Sequence, residues 1–300
     1  MPIHLGDSRT VTRRGFLGTV AAGAASLAVG RGIQAREDAR GWYALVSDTH
    51  IAADPATVAR EQTMARNLEA VVADVLARKG SPLGIFVDGD LAMKNGQPED
   101  YQTFLALTNP WTSARLPVHL TLGNHDDRGH FSTALKIGPE TEAVVSKHVS
   151  IVDGPGLRFL MLDSLDQPNV TPGILGDAQI AWLGRTLDAR PETPTIVFLH
   201  HNPSERPGAL ADTQAFLDAL VPRAQAKAIV FGHTHVWSVK EQDGLQLVNL
   251  PAVGYPFAAD QPLGWVEMRP KQEGASLVLH AIGGDKTKDQ ERVELTWREG

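Results

Sequence analysis

The chain has 300 residues, 42% of them hydrophobic, and it carries a formal net charge of −7 and no cysteine. This length and apolar content suffice for one large α/β core, and no repeat or heptad pattern suggests another architecture. The negative charge disfavours nucleic acid and membrane surfaces as partners, and the lack of cysteine excludes disulfides and thiolate chemistry.

The N-terminal segment differs in composition from the rest of the chain. The pair Arg13 and Arg14 precedes an aromatic residue, a leucine and an Ala- and Gly-rich apolar run. This pattern resembles a twin-arginine signal, whereas the alternative, a basic tail on a core helix, would make a poor core helix. We predict a signal peptide at 1–35 and one domain at 36–300. The twin-arginine export machinery would then deliver the protein to the periplasm or the extracellular space, without stable membrane association after cleavage.

The first predicted strand ends in two polar side chains. The apolar run 43–47 is followed directly by Asp48, and His50 comes two residues later. Residues two apart on a strand, at about 3.3 Å per residue, share a face, so this carboxylate and imidazole can bind one cation together. A capping aspartate beside an exposed histidine is the alternative for an isolated pair. Repetition of the pattern is what favours a metal site.

Two further strands in the first half end in the same way. The predicted elements are a helix over 58–79, a strand over 83–87, a helix over 98–107 and a strand over 117–122. Asp90 follows the first of these strands closely, and Asn124 and His125 follow the second. Strands that alternate with helices through short links predict an α/β fold with a largely parallel sheet.

The second half is richer in strands. The predicted elements are a hairpin with strands at 150–152 and 157–162, a helix from Asp177, a strand over 195–199, a helix around Phe216 and a strand over 228–231. The last two strands are followed by His200 with His201 and by His233 with His235. Period-two alternation over 236–282 predicts an antiparallel set, and 283–300 is interpreted as a polar end.

Five strand ends therefore carry side chains that are able to bind metal. Ligands of an open α/β sheet gather outside the carboxyl ends of its strands, so these side chains are expected to converge. Imidazoles, carboxylates and one amide together suit Zn, Mn or Fe better than Mg or Ca. The sequence predicts a dinuclear site whose candidates are Asp48, His50, Asp90, Asn124, His125, His200, His201, His233 and His235.

The order of these motifs resembles that of the calcineurin-like metallophosphoesterase superfamily: Asp48-x-His50, Gly89-Asp90, Gly123-Asn124-His125-Asp126, His200 and Gly232-His233-x-His235. Within that superfamily the chain is most similar to single-domain bacterial phosphodiesterases that act on cyclic nucleotides or glycerophosphodiesters. The resemblance implies an α/β fold, a four-layer α/β/β/α sandwich of two mixed sheets flanked by helices, with the metal ions at the edge of the paired sheets.

The resemblance also implies a ligand set for two transition-metal ions. One ion is expected on Asp48, His50, Asp90 and His235, and the other on Asp90, Asn124, His200 and His233. Asp90 would bridge the two ions. A hydroxide between them would be the nucleophile, because metal binding lowers the pKa of water towards ~7. The ions are expected to be Fe, Mn or Zn.

Four other residues receive predicted roles. His125, by resemblance, faces the substrate phosphate and either stabilises developing charge or protonates the leaving oxygen. Asp126 either orients the ring of His125 or caps the helix near Phe131. His201 is a substrate-side candidate, although a shift of one residue in the strand end would exchange it with His200. Arg128 is a candidate phosphate contact, and a solvated arginine is the alternative.

The resulting hypothesis is metal-dependent hydrolysis of a small-molecule phosphoester. We favour a diester, because a monoester dianion requires more positive charge than this acidic chain places near the motifs. Met93 stands where purple acid phosphatases carry a tyrosine and where the related phosphodiesterases often carry an acidic residue, which leaves the substrate class open. Tyr255 and Phe257 are interpreted as core or rim residues. The alternative functions are a catalytically silent metal-binding scaffold and an exported nucleotidase or nuclease.

Overall fold

The computed structural model describes residues 41–138 and 143–299. The predicted signal peptide at 1–35 lies outside the described residues and stays a prediction. Within the two described ranges, no helix combines the length and the apolar character that a membrane crossing requires.

Two six-stranded sheets form the centre of the fold. In spatial order the first sheet contains β14 (Arg292–Thr296), β13 (Gly274–Gly284), β12 (Pro262–Pro270), β1 (Tyr43–Ser47), β4 (Gly84–Asp88) and β5 (Val118–Thr121). The second contains β10 (Ser238–Gln242), β11 (Leu245–Asn249), β9 (Ala226–Phe231), β8 (Thr195–Phe198), β7 (Leu157–Met161) and β6 (Ser150–Gly154). Both sheets are mixed, because β1, β4 and β5 are parallel, as are β7, β8, β9 and β11, while the other neighbours pair antiparallel.

Helices cover the outer face of each sheet. The first sheet packs against α1 (Met64–Ala77), α2 (Pro98–Ser113) and α3 (Arg128–Leu135), and the second against α4 (Asp177–Asp188) and α5 (Thr213–Leu220). Each helix places an apolar stripe on its sheet, as an amphipathic helix must in order to leave water. The α/β/β/α sandwich expected from the motifs is confirmed.

The central strand β1 shows why its sequence is apolar throughout. Tyr43 and Leu45 lie between the two sheets, where they pack with residues such as Phe159. Ala44 and Val46 point the other way, into the core beneath the helices. Because both faces of the strand are buried, its residues form a continuous apolar run, which is typical of parallel strands.

One predicted helix begins later than expected. Residues 58–63 form a hairpin of β2 (Val58–Ala59) and β3 (Gln62–Thr63), and the helix starts only at Met64. Arg60 and Glu61 turn the hairpin with φ of 46° and 65°, as in a type I′ turn. Arg-Glu carries none of the usual Asn-Gly signal for such a turn, so the pattern pointed to a helix instead.

The last part of the chain also differs from its prediction. The segment 283–300, interpreted as a polar end, contains the edge strand β14, which pairs antiparallel with β13. The strand β11, expected in an antiparallel set, pairs parallel with β9 on one side. An edge strand that is partly exposed needs no continuous apolar run, which explains why β14 escaped detection.

Candidate metal centre

The predicted ligands come together at the carboxyl ends of five strands. Asp48 and His50 follow β1, Asp90 follows β4 and Asn124 follows β5 in the first sheet. In the second sheet His200 follows β8, and His233 and His235 follow β9. Parallel strands end at the same edge of a sheet, and the packing of the two sheets brings both edges together. All the predicted ligands are buried except His233, which is partly buried.

One cluster contains Asp48, His50 and His235, whose potential ligand atoms all lie within 4.8 Å of one another. His235 Nε2 is 3.2 Å from Asp48 Oδ1 and 3.0 Å from His50 Nε2. Two imidazole nitrogens and a carboxylate oxygen at this spacing are a typical donor set for a transition-metal ion.

A second cluster contains Asp90, His200 and His233, again with ligand atoms within 4.8 Å of one another. His200 Nε2 is 3.2 Å from Asp90 Oδ2. Both His200 Nε2 and Asn124 Oδ1 are buried without a hydrogen-bond partner. Leaving buried polar atoms unpaired is costly, and a cation held by this cluster would satisfy both. The donor set of the chain therefore fits two metal ions.

The backbone is strained at the ligand positions. A left-handed φ is found at five predicted ligands: Asp48 (54°), His50 (49°), Asp90 (47°), His233 (66°) and His235 (54°). Non-glycine residues adopt this conformation rarely and at a cost, and they do so mostly at functional sites. The strained turns direct the side chains that follow each strand into one site.

Backbone carbonyls orient two of the ligand imidazoles. His200 Nδ1 lies 3.0 Å from the carbonyl oxygen of Asp88, and His235 Nδ1 lies 2.6 Å from that of Tyr255. A carbonyl only accepts, so Nδ1 of each ring carries a proton, and Nε2 of the neutral ring has the free lone pair. Each ring is thereby held in the tautomer that binds metal through Nε2.

Burial and charge set the protonation of the site. Burial opposes ionisation of Asp90, but the charge of protonated His200 outweighs this and holds the pKa of Asp90 well below its usual range. Burial lowers the pKa of His50 to about 3, and burial followed by the charge of His200 lowers the pKa of His233 to about 4. Asp90, His50 and His233 are therefore in the forms that bind metal at pH 7. The effect of burial on His200 is outweighed by the charges of Asp90 and Asp48, so its pKa lies well above its usual range and it would release a proton on binding metal.

Two glycines in the motifs are required by close packing. A Cβ atom at Gly123 would collide with the carboxylate of Asp90, and one at Gly89 would collide with the ring of His200. Gly89 also has a φ of 66°, which other residues adopt with strain. Gly89 and Gly123 therefore leave space for ligands of the second cluster.

The ring of His125 lies beside Asp90, but the residue that orients the ring is not the one predicted. Its Nε2 is 3.9 Å from Asp90 Oδ2, and its Nδ1 lies 2.7 Å from the carbonyl oxygen of Lys94, to which it donates a hydrogen bond. The expectation that Asp126 orients this ring is not met, because that role belongs to Lys94. The side chain of His125 is 24% exposed, so a substrate can reach it from solvent.

Asp126 instead organises the loops that carry the ligands. Its carboxylate accepts hydrogen bonds from the hydroxyl of Tyr101 and from the backbone amides of Leu91, Ala92 and Gly123. Burial, and next the charge of Asp90, raise the pKa of Asp126 to about 7. It does not cap α3 either, since Asp127 accepts the hydrogen bond from the amide of His130.

The structure separates the roles of the adjacent histidines. His200 lies in the second cluster, whereas Nδ1 of His201 is 2.9 Å from Ser164 Oγ. The ring centre of His201 is 4.7 Å from that of His233, so His201 packs against a ligand. The assignment of His200 as the ligand is therefore favoured, and the contact of His201 with substrate stays a prediction.

Arg128 contacts other protein groups rather than the position predicted for a phosphate. Its guanidinium forms a bidentate ion pair with the buried Asp163, with nitrogen–oxygen distances of 2.6 and 2.9 Å. It also donates to the carbonyl oxygens of Leu165 and Asp166. These contacts leave it few free donors, so the predicted phosphate contact is not supported and Arg128 acts as a clamp on a loop.

An aromatic wall lies beside the first cluster. Tyr255 stacks on His50 with ring centres 4.6 Å apart, and Phe257 stacks on His235 at 3.9 Å. Of the two interpretations, core or rim, this position supports rim for both residues. Arg60, which lies over these rings, was missed because the segment around it was read as a helix.

Comparisons with known proteins find similar sequences across most of the described chain. The sequence profile described as calcineurin-like phosphoesterase matches residues 42–237. The 3′,5′-cyclic adenosine monophosphate phosphodiesterase CpdA of Pseudomonas aeruginosa is 29% identical over 219 residues, which cover 71% of this chain and 76% of that protein. The glycerophosphodiester phosphodiesterase GpdQ of Enterobacter lignolyticus is 28% identical over 225 residues, with coverages of 72% and 78%.

Solved structures with the same fold are more distant in sequence. A dimetal phosphatase from Danio rerio superposes with a TM-score of 0.65 at 15% identity, over 86% of this chain and 99% of that one. PhoD superposes with a TM-score of 0.58 at 11% identity, over 85% of this chain and 68% of that one. At these identities the likeness concerns the fold alone.

Proposed function

Because the chain belongs to the calcineurin-like phosphoesterase family, we propose that it is an exported phosphodiesterase that depends on two metal ions. The observation that carries this proposal is the pair of adjacent clusters. Asp90 of the second cluster lies 3.7 Å from Nε2 of His50 in the first, and the second cluster contains a buried donor atom without a hydrogen-bond partner, as does Asn124 beside it. Such an arrangement supports a dinuclear centre. Two-metal sites commonly catalyse in-line displacement at phosphorus.

The residues of the chain would hold the ions and position the substrate. Asp48, His50 and His235 would hold one ion, and Asn124, His200 and His233 would hold the other, with Asp90 available to both. When bound, the ions supply activation of water and stabilisation of charge on the phosphoryl oxygens. His125, whose ring is fixed by the carbonyl of Lys94, donates a proton or a hydrogen bond from Nε2 to the leaving oxygen.

The preference for a diester is supported by the relatives. The two bacterial proteins described above are named as phosphodiesterases, one for cyclic adenosine monophosphate and one for glycerophosphodiesters. Both are under 30% identical to this chain, so we carry over the diester chemistry and not the individual substrate. The nitrogen and oxygen donors suit Fe, Mn or Zn.

The cellular location that we propose rests on the N-terminal sequence. Residues 12–17 resemble the twin-arginine motif, and we propose transport of the folded protein by the twin-arginine machinery into the periplasm or beyond. Replacing Arg13 and Arg14 with lysine should leave the protein inside the cell. Fractionation that finds this variant exported as efficiently as the wild type would contradict the proposed route.

Hydrolysis and metal content must be measured on the same preparation. Protein isolated from its own host is analysed for transition metals and assayed with bis-p-nitrophenyl phosphate and p-nitrophenyl phosphate. About two equivalents of metal and faster cleavage of the diester are expected. Faster cleavage of the monoester would overturn the diester preference, and protein that holds both metals but cleaves neither compound would favour a silent scaffold.

A further inference from the structure

Arg60 lies at the rim of the metal centre, at the tip of the hairpin formed by β2 and β3. Its guanidinium carbon is 4.9 Å from the ring centre of Phe257 and 5.7 Å from that of Tyr255. Contacts of this kind are attractive, because the face of an aromatic ring carries partial negative charge. They hold the guanidinium in place and leave its N–H donors able to bind a further group.

The same rings connect Arg60 to the metal ligands. Phe257 stacks on His235 at an interplanar angle of 12°, and Tyr255 stacks on His50 at 23°. One aromatic ring therefore separates the guanidinium from each imidazole. Through Phe257, the guanidinium carbon lies at most about 9 Å from the ring centre of His235, a distance that an extended substituent esterified to a bound phosphoryl group can span.

The charge of Arg60 is not neutralised by the protein. Six other arginines form ion pairs with carboxylates, whereas Arg60 forms no ion pair with any residue that the structure describes. Arg128, the other arginine considered for this site, is committed to Asp163. Phe257 is 51% exposed, so a ligand can approach the wall from solvent. An unpaired cation held beside solvent-exposed aromatic rings attracts an anion.

We propose that Arg60 binds a second negatively charged group of the substrate, a carboxylate or a phosphate on the substituent beyond the reacting phosphoryl group. The metal ions would neutralise the charge on the phosphoryl group, and Arg60 would neutralise the charge on the substituent. The chain would then select phosphoesters that carry such a group over those with a neutral substituent. This inference rests on the proposed function, because it assumes that a phosphoryl group occupies the metal centre.

Two small phosphonates test the assignment by binding alone. 6-Phosphonohexanoate and hexylphosphonate have the same phosphonate group and the same chain length, and only the first carries a carboxylate, at the end of a chain long enough to pass the aromatic rings. By isothermal titration calorimetry, metal-loaded wild-type protein should bind 6-phosphonohexanoate roughly 10-fold more tightly, the size expected for a charged hydrogen bond. Arg60→Gln should remove this preference and leave the affinity for hexylphosphonate unchanged.

Arg66→Gln is the matched control, since it removes the same charge from an exposed position on α1. This variant should keep the wild-type preference. The role of Arg60 would be wrong if the wild type bound the two phosphonates equally. It would also be wrong if the preference persisted in Arg60→Gln or was lost equally in Arg66→Gln. None of these outcomes would contradict the proposed function itself. Binding of neither phosphonate to protein that holds both metals would contradict the proposed function as well.

Discussion

The backbone amide of His125 donates a 2.8 Å hydrogen bond to Oδ1 of Asp90. The other oxygen, Oδ2, then faces both clusters, at 3.2 Å from His200 Nε2 and 3.7 Å from His50 Nε2. Oδ2 is therefore the oxygen of Asp90 that would be available to metal ions in either cluster, while the loop that carries His125 keeps the carboxylate in this orientation.

The first prediction concerns this shared oxygen. Asp90→Asn keeps the size of the side chain and an acceptor for the amide of His125, but it removes the negative charge between two cations. We expect the variant to retain less than one equivalent of transition metal, whereas His235→Gln, which alters the first cluster alone, should retain about one. Elemental analysis after dialysis measures both.

Asp218→Asn, an exposed aspartate on α5, is the control for the same chemical change. It should keep the wild-type metal content. If Asp90→Asn kept both ions as well, the two clusters would not share this residue, and the dinuclear arrangement would be wrong.

The second prediction separates the ring of His125 from its amide. His125→Ala removes the imidazole but keeps the backbone hydrogen bond to Asp90, so metal content should stay the same. Turnover of a phosphodiester should fall by roughly 10²-fold or more, as is common when a general acid is lost. Steady-state kinetics with elemental analysis of the same sample checks both statements, and unchanged turnover would exclude the ring from the mechanism.

The strand ends could be predicted because their signal is local. A buried strand followed at once by Asp48 and His50 is visible in a short stretch of sequence, and so are the motifs around Asn124 and His233. Their convergence follows from a general property of parallel strands. The family motifs then supplied the pairing of ligands with metals, which spacing alone left open.

The remaining features depend on segments far apart in the chain. Arg60 and Phe257 lie far apart in the sequence and come into contact only in the folded chain, so no local pattern connects them. The partner of His125 is the carbonyl of Lys94, and a backbone carbonyl has no signature in the sequence. Asp126 was misassigned for a related reason, since its partners are mostly backbone amides of other loops.

The third prediction tests whether Arg128 is a structural clamp. Arg128→Gln leaves the buried carboxylate of Asp163 without its cation, and this should lower the free energy of unfolding by roughly 2–4 kcal/mol. The turnover of the folded fraction should stay close to that of the wild type. Urea unfolding and active-fraction kinetics provide the two measurements.

Arg223→Gln offers a comparison for this variant, because Arg223 forms a similar bidentate pair with Asp188, whose side chain is 58% exposed. Exposed pairs contribute little, so the loss there should be about 0–1 kcal/mol. Equal stability of the two variants, or a rise in KM of Arg128→Gln without loss of stability, would instead favour a contact between Arg128 and substrate.

The fourth prediction concerns the space next to the shared carboxylate. Gly123→Ala places a methyl group against Asp90 and the ring of His200, and neither can move without disturbing a ligand. Overpacking of this kind costs about 1–3 kcal/mol, and here it should also weaken metal binding. Gly283→Ala is the control, because a methyl group there meets the side chain of Leu263 at an ordinary distance of 3.4 Å. Metal titration and urea unfolding of both variants would show whether Gly123 is needed for the site: if the two behaved alike, the close packing would have no role in holding Asp90.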